Sequence, residues 1–143
     1  MFDNFKEEYT KTEFRIKGIK FYISKIPAMK SVFIFTDILN KIKDTDIDFS
    51  SKNDSQAVVG IIKSLLTVLS PEYLEHNLIP KIFDYIRFDL TGAGQQGLNL
   101  KQNIDIIEST IDFDDILEIL LRGLCVNFLA SCLARLSKLK AVS

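Results

Sequence analysis

The segment from Asp112 to Leu139 constrains this chain most, because it has the length of a long helix and is apolar almost all round. At 100° per residue, Asp115, Glu118 and Arg122 fall within about 60° of one another. In the second half the polar residues lie on the opposite side, at Asn127, Ser131, Arg135 and Lys138. One straight helix in a small monomer cannot bury both apolar stripes. The segment therefore predicts either a break near Gly123 or a helix with one half on its own domain and the other on a partner.

The composition fits one globular domain, residues 1–143, that is large enough to hold a core. A hydrophobic content of 47% and a net charge of −1 exclude a wholly disordered chain. The charge is unevenly distributed: residues 1–30 have seven basic and four acidic residues, residues 31–118 have seven and fifteen, and residues 119–143 have four and none. Such blocks favour self-association through complementary charge, so we expect a homo-oligomer.

Several classes of protein fit the sequence poorly. With one histidine and two cysteines, Cys125 and Cys132, a zinc site is excluded, and both cysteines are expected to be small buried hydrophobes. No domain-wide basic surplus indicates nucleic acid. Charged residues interrupt the apolar run at 116–136, and residues 1–10 do not resemble a signal peptide. We expect no nucleic acid, no membrane association and a cytoplasmic setting.

Alternating apolar and polar residues predict a β-hairpin over residues 12–25, with a tight turn at Lys17-Gly18. Residues 28–139 are predicted to be mainly helical, with loops at 44–54 and 91–103. The expected fold class is therefore α+β, with an N-terminal β-hairpin followed by a mainly α-helical bundle.

Helix boundaries can be predicted from local signals. Pro27 ends the hairpin and precedes a helix whose apolar residues recur at helical spacing, namely Met29, Val32, Phe33, Phe35, Thr36, Leu39 and Ile42. A second helix is expected from Asp54 or Ser55 to Leu69. Ser70-Pro71-Glu72 starts a short third helix that ends near His76 and Asn77, with His76 on the surface. Pro80 is then expected to start another helix with Ile82, Phe83, Ile86 and Phe88 or Leu90 facing inward.

Three motifs are weighed as ligand sites and rejected. Gly92-Ala93-Gly94-Gln95-Gln96-Gly97 has the spacing of a dinucleotide-binding loop, but the stretch before it is predicted to be helical and no strong helix is predicted to follow. The aspartates of 44–54 lack the glycine and glutamate of a calcium loop. The acids of 105–118 are expected to cap a helix at Asp112 rather than to catalyse a reaction. We therefore expect no enzyme activity, no metal and no cofactor.

Three segments together resemble bacteriophage tail assembly chaperones. They are the hairpin that runs through Gly18-Ile19-Lys20-Phe21-Tyr22-Ile23 to Pro27, the Leu69-Ser70-Pro71-Glu72 helix start, and Ile111-Asp112-Phe113-Asp114-Asp115-Ile116 before a long helix with Val126-Asn127-Phe128. The resemblance spans most of residues 14–135. It implies a small α+β protein that binds the long helical tape measure protein in the host cytoplasm, keeps it soluble and promotes assembly of the tail tube around it.

The same resemblance implies a protein that self-associates, contacts the tail tube protein as a further partner, and is absent from the mature virion. Apolar residues on two predicted helices are the candidate partner-binding residues: Leu124, Phe128, Cys132, Leu136, Phe33 and Phe35. The alternative role is a structural component of a phage tail or contractile injection particle, such as a tube terminator or a baseplate part.

Overall fold

The computed structural model describes residues 8–42, 69–90 and 94–129, and four strands within them form one antiparallel sheet. The strands are β1 (Glu13–Ile16), β2 (Ile19–Ile23), β3 (Ile86–Leu90) and β4 (Gln95–Asn99), and they pair in that order. The predicted α+β class is confirmed. The prediction of a helical bundle after the hairpin is not, because β3 and β4 lie within the region that was expected to contain only helices and loops.

The predicted hairpin is confirmed as β1 and β2, joined at Lys17 and Gly18. Both turn residues have positive φ, 49° and 81°, as in the two-residue turns whose twist matches that of paired strands. The alternation of apolar residues continues across the sheet to β3. Phe14 stacks on Phe21 at a centroid distance of 5.3 Å, and Phe21 lies 6.2 Å from Phe88. These three buried rings form the sheet side of the core.

Besides the helical residues Glu8 and Tyr9, four helical segments lie within the described residues. They are α1 (Ala28–Ile42), α2 (Pro71–Tyr73, a π-helical turn Leu74–Leu78, and Ile79–Phe83), α3 (Leu100–Ile107) and α4 (Phe113–Leu124), which continues as a π-helical turn Cys125–Leu129. The loop predicted at 44–54 and the helix predicted from 54 or 55 lie outside the described residues, except for Leu69.

The predicted start of α2 is confirmed, since the Ser70 hydroxyl accepts a hydrogen bond from the Tyr73 amide and Pro71 is the first helical residue. The predicted end near His76 and Asn77 is wrong. A π-helical turn carries the chain through these residues, and the Ile79 amide bonds to the Leu74 carbonyl. The helix therefore reaches Phe83 with Pro80 inside it. His76 is exposed, as expected.

The helix predicted from Pro80 to Leu90 is wrong beyond Phe83. Ile86–Leu90 is a strand between β2 and β4, and Ile86 and Phe88 are buried on the core side of the sheet. Ile86, Phe88 and Leu90 alternate with charged residues as in a half-buried strand, but Ile86 and Leu90 also continue the helical spacing of Ile82, and pairing with β2 decides between the two. The predicted loop at 91–103 is also wrong in part, because it contains β4 and the first residues of α3. Asn99 caps α3 by accepting from the Gln102 amide.

Helix α4 lies at the centre of the fold and does not break at Gly123. At 100° per residue, its buried residues as far as Leu124 cover about 200° of its circumference; they are Ile119, Leu120, Leu121, Gly123 and Leu124. Cys125 and Phe128 of the π-helical turn are buried as well. The sequence argument that one helix could not bury both stripes is thus wrong as far as Phe128, because other elements surround α4. Cys125 is buried, as predicted, and residues 130–139 lie outside the described part.

Gly123 lets α4 approach α2 closely. A Cβ atom at this position would lie 2.6 Å from Ile82 Cγ2 and 3.4 Å from Ile86 Cδ1. A break near Gly123 was one of the two predicted alternatives; Gly123 is instead a packing position within a continuous helix. The π-helical turn begins two residues later, and such a turn changes the phase of the residues that follow it.

A candidate partner-binding surface

The outward face of α1 carries three large apolar side chains that the core does not cover. Met29, Val32 and Phe33 are 65%, 51% and 66% exposed, whereas Ile34 and Ile38 on the other side of the helix are buried. The helix has apolar residues on two sides, so periodicity alone could not tell which side faces the core. Exposed apolar side chains next to one another are a feature of partner-binding surfaces.

Two contacts fix which face of α1 points outward. The Phe35 ring stacks on the Phe128 ring of the π-helical turn at 5.6 Å, and the Tyr73 hydroxyl of α2 donates to Asp37 at 2.6 Å. Burial and this hydrogen bond raise the pKa of Tyr73, so the phenol remains protonated and keeps donating. Ile34, Phe35 and Ile38 lie on the inward side of α1, about 100–200° from Phe33 on a helical projection, so Phe33 is turned towards solvent.

A groove of about 270 Å³ lies beside Phe33, between α1 and α2, and we call it the α1–α2 groove. Its lining is mainly apolar: Phe33, Ile34, Pro80 and Tyr85 line it together with four charged residues that we call the rim, Lys30, Lys81, Asp84 and Lys101. Pockets that enclose drug-sized ligands are about 300–1,000 Å³. The α1–α2 groove is smaller than these, and its size suits one or two large side chains of a protein partner.

The rim of the groove is basic. Three lysines against one aspartate give it a net charge of +2. A hydrogen bond to Tyr85 raises the pKa of Lys30, so this lysine stays charged while its ammonium lies 5.6 Å from the centre of the Tyr85 ring. Within the described residues Lys81 and Lys101 form no ion pair, and both are exposed. The rim therefore favours a partner that brings carboxylates beside its apolar side chains.

The structure separates the predicted partner-binding residues into three groups. Leu124 and Phe128 are buried in the core, and Phe35 is half-buried against Phe128, so all three pack within the protein. Phe33 is exposed and lines the α1–α2 groove. Cys132 and Leu136 lie outside the described residues. The fold therefore brings Phe35 and Phe128 together inside the molecule and leaves Phe33 at the surface.

Sequence reasoning missed most of the residues that surround Phe33. Lys81 and Lys101 are 20 residues apart, and Tyr85 was assigned to a helix that ends before it. Nothing in their local patterns links them to α1, because only the packing of α1, α2 and α3 brings them together. The exposed pair Met29 and Val32 could have been recognised from their spacing with Phe33, since the three lie within about 100° on a helical projection.

The polar face of the sheet holds a second group of interacting residues. Asp89 on β3 is almost fully buried, and it accepts hydrogen bonds from the Tyr22 hydroxyl and, at 2.8 Å, from the Gly97 amide. The bond from Tyr22 is the main reason that the pKa of Asp89 is lowered. Gly97 has a φ of 65° and lies where the β3–β4 register shifts. Asp89 thus holds a β-bulge in place.

The glycine-rich motif at 92–97 was rejected for a reason that is partly wrong, because a strand and not a helix precedes it. The topology still differs from a dinucleotide-binding unit, in which a helix follows the glycines and leads to a parallel strand. Here the motif connects the antiparallel strands β3 and β4, and its last glycine serves the bulge.

Of the acids of 105–118, Asp112 and Asp115 cap α4, and the predicted cap at Asp112 is confirmed. Asp112 accepts from the Asp115 amide, and the Asp115 carboxylate accepts from the Asp112 amide, which completes a capping box. Lys17 of the hairpin turn lies 3.1 Å from Asp112 and 2.7 Å from Asp115. The backbone amide of Asp115 and then Lys17 lower the pKa of Asp112. These contacts join the hairpin to the start of α4.

Within residues 8–42, 69–90 and 94–129, no group of three or more His, Cys, Asp or Glu side chains is placed to hold a metal ion. Among the helices in the described part of the chain, none has both the length and the apolar character required to cross a membrane. Comparisons with protein-family models, with curated proteins and with solved structures find no match for this chain.

Proposed function

We propose that this protein is a phage tail assembly chaperone that binds the tape measure protein through the outward face of α1 and the α1–α2 groove. It acts by binding and not by catalysis, in the host cytoplasm, and it leaves before the virion is complete. The proposal is supported by the sequence resemblance of the hairpin, the α2 start and the α4 start to that family, together with the exposed face of α1.

The single observation that carries the binding role is the position of Phe33. Its ring is 66% exposed next to Met29 and Val32, and it forms a wall of the α1–α2 groove. An amphipathic client helix is a suitable occupant, because its apolar side chains recur every three or four residues and can cover the face of α1 while one of them enters the groove. The basic rim favours client segments with acidic residues beside the apolar stripe.

The test is co-expression of this chain with the tape measure protein encoded nearby, with soluble client as the measurement. Wild-type protein is expected to raise the soluble fraction of the client. Phe33→Ser is expected to weaken the affinity for the client by about tenfold, since burying a phenylalanine contributes about 1.5–3 kcal/mol, and so to lower the soluble fraction. Phe113→Ser is the comparison variant: Phe113 is 70% exposed and lies on α4, outside the groove lining, so its replacement should not lower the soluble fraction of the client.

Two outcomes would contradict the proposal. If the client is equally soluble with and without this chain, the chaperone role is lost. If Phe33→Ser and Phe113→Ser reduce client binding equally, the groove is not the client site. Mass spectrometry of purified particles separates the chaperone from the alternative, a structural component of a tail or injection particle, because a component is retained in stoichiometric amounts.

A further inference from the structure

A second exposed aromatic residue lies in surroundings of opposite charge to those of Phe33. Phe113, the first residue of α4, is 70% exposed, and Ile106 at the end of α3 is 45% exposed. Glu108 lies between these two residues in the sequence, and Asp114 follows Phe113 directly. Both carboxylates are exposed, and neither forms an ion pair within the described residues. We call Ile106, Glu108, Phe113 and Asp114 the acidic knob.

The acidic knob and the α1–α2 groove have net charges of opposite sign. Glu108, Asp112, Asp114 and Asp115 lie within five residues of Phe113 in the sequence, and together with Lys17, which pairs with two of them, they give this segment a net charge of −3. The rim of the α1–α2 groove has a net charge of +2. Each of the two exposed phenylalanines in the described residues is thus surrounded by charges that complement those around the other. Complementary potentials of this kind fix the orientation of two associating surfaces.

We propose that the acidic knob of one copy of this chain docks into the α1–α2 groove of a second copy, with Phe113 entering the groove and Glu108 and Asp114 facing its lysines. The groove and the knob include the two ends of α3, since Lys101 lines the groove and Ile106 belongs to the knob. The two surfaces are joined in the chain by α3, a helix of eight residues that is kinked at Asn103. In the proposed assembly the two copies exchange knobs reciprocally and form a two-fold dimer, the commonest form of homo-oligomer.

The self-association does not depend on the identity of the client, but it has a consequence for the proposed function. The surface that would receive a client helix is the surface that a second copy occupies. Client and second copy then compete for the α1–α2 groove. A client segment with an aromatic or aliphatic residue between acids mimics the knob, so binding of the client separates the dimer.

The experiment measures the dimer dissociation constant by sedimentation equilibrium for the full chain and its variants. Phe113→Ser is expected to weaken dimerisation by about tenfold or more for each buried ring, since a buried phenylalanine contributes about 1.5–3 kcal/mol. Lys81→Glu with Lys101→Glu changes the rim charge from +2 to −2 and should weaken it as well. Lys11→Glu with Lys25→Glu, at two exposed lysines that do not line the groove, changes the net charge by the same amount; this control should leave the constant unchanged.

A charge exchange between copies tests the pairing itself. The knob variant Glu108→Lys with Asp114→Lys and the groove variant Lys81→Glu with Lys101→Glu should each be monomeric alone, because like charges then meet at both contacts. An equal mixture should form a heterodimer close to wild type in affinity, since both reciprocal contacts are again between opposite charges. Circular dichroism checks that each variant is folded.

Three results would overturn the inference: a wild-type chain that is strictly monomeric, a mixture of the charge variants that associates no better than either alone, or dimerisation that strengthens as salt is added, since salt screens exposed charges. Growth into open chains would exclude the reciprocal geometry. A monomeric wild type that still solubilises its client through Phe33 would remove the dimer and leave the proposed function intact. In the opposite case, Phe33→Ser abolishes dimerisation and the client does not bind to the wild-type chain; this result would remove the proposed function and leave the dimer intact.

Discussion

Replacement of Gly123 by alanine tests whether α4 packs as closely against α2 as the structure indicates. The new Cβ atom would lie 2.6 Å from Ile82 Cγ2, well inside van der Waals contact. Cγ2 is attached directly to Cβ of a β-branched residue with a stiff χ1, so it cannot swing away as the end of a long side chain could. Ile82 is also buried, which leaves little space for it to move into.

The expected effect is the difference between two opposing terms. Alanine is favoured over glycine inside a helix by about 1 kcal/mol. Overpacking a well-packed core costs about 1–3 kcal/mol, and the short contact with a stiff side chain places this site in the upper part of that range. Gly123→Ala should therefore lower the free energy of unfolding by about 1–2 kcal/mol, despite the better helix propensity. For a chain of this length the thermal midpoint should fall by about 3–8 °C.

The assay is chemical unfolding in urea, followed by circular dichroism, of a double-mutant cycle with Ile82→Leu. Leucine keeps the side-chain volume but lacks the Cγ2 methyl group, and such exchanges cost less than about 1.5 kcal/mol. In the Ile82→Leu background the Gly123→Ala change should be neutral or stabilising. The coupling free energy between the two positions should thus be about 1–3 kcal/mol, and it should stabilise the double variant relative to the sum of the single changes.

Two results would refute this reasoning. If Gly123→Ala alone stabilises the protein, then α4 and α2 are further apart than 2.6 Å implies. If the cost of Gly123→Ala is the same with leucine and isoleucine at position 82, the penalty does not arise from this contact.

Three further changes test other parts of the fold. Asn127→Ala removes the acceptor 2.7 Å from the amide of Ile26, a buried residue, and the unsatisfied amide should cost about 1–3 kcal/mol in urea unfolding, whereas Asn127→Asp should cost less because it keeps the acceptor. Arg122→Met removes the ion pairs with Glu8 and Glu118 and the stacking on Tyr9 and Phe14, and thermal unfolding should show a loss of about 1–3 kcal/mol, with Arg122→Lys intermediate because it keeps only the charge. Arg122 lowers the pKa of Glu8, and the Asp115 amide lowers the pKa of Asp112. A carboxyl group with a lowered pKa in the folded state stabilises the fold above its unfolded pKa, so the melting temperature should fall as the pH drops below about 5. Asp112→Asn should make this fall smaller. A melting temperature that is unchanged down to pH 3 would contradict the last prediction.

The candidate surface illustrates why the sequence could locate one of its residues but not the whole. Phe33 could be chosen as a partner-binding residue because it lies on a helix with more apolar residues than one face needs. Leu124 and Phe128 were chosen by the same argument, yet both are buried. The argument assumed that a small fold can cover only one side of a helix, and it failed because the sheet, α1 and α2 surround α4.

The sequence by itself determined the features that depend on neighbouring residues. The hairpin follows from alternation and from a turn with Gly18, and the starts of α2 and α4 follow from Ser70-Pro71 and from Asp112 with Asp115, because caps and turns satisfy backbone groups locally.

Only the tertiary structure decided the features that depend on distant partners. Ile86–Leu90 is a strand because it pairs with β2, more than sixty residues away, and Gly123 is a packing site because Ile82 lies against it. The same holds for the lysines around Phe33, which belong to three different helices or their ends. Local propensity is worth a few tenths of a kcal/mol per residue, whereas the burial of one large side chain is worth about 1.5–3 kcal/mol, so long-range packing determines the outcome wherever the two disagree.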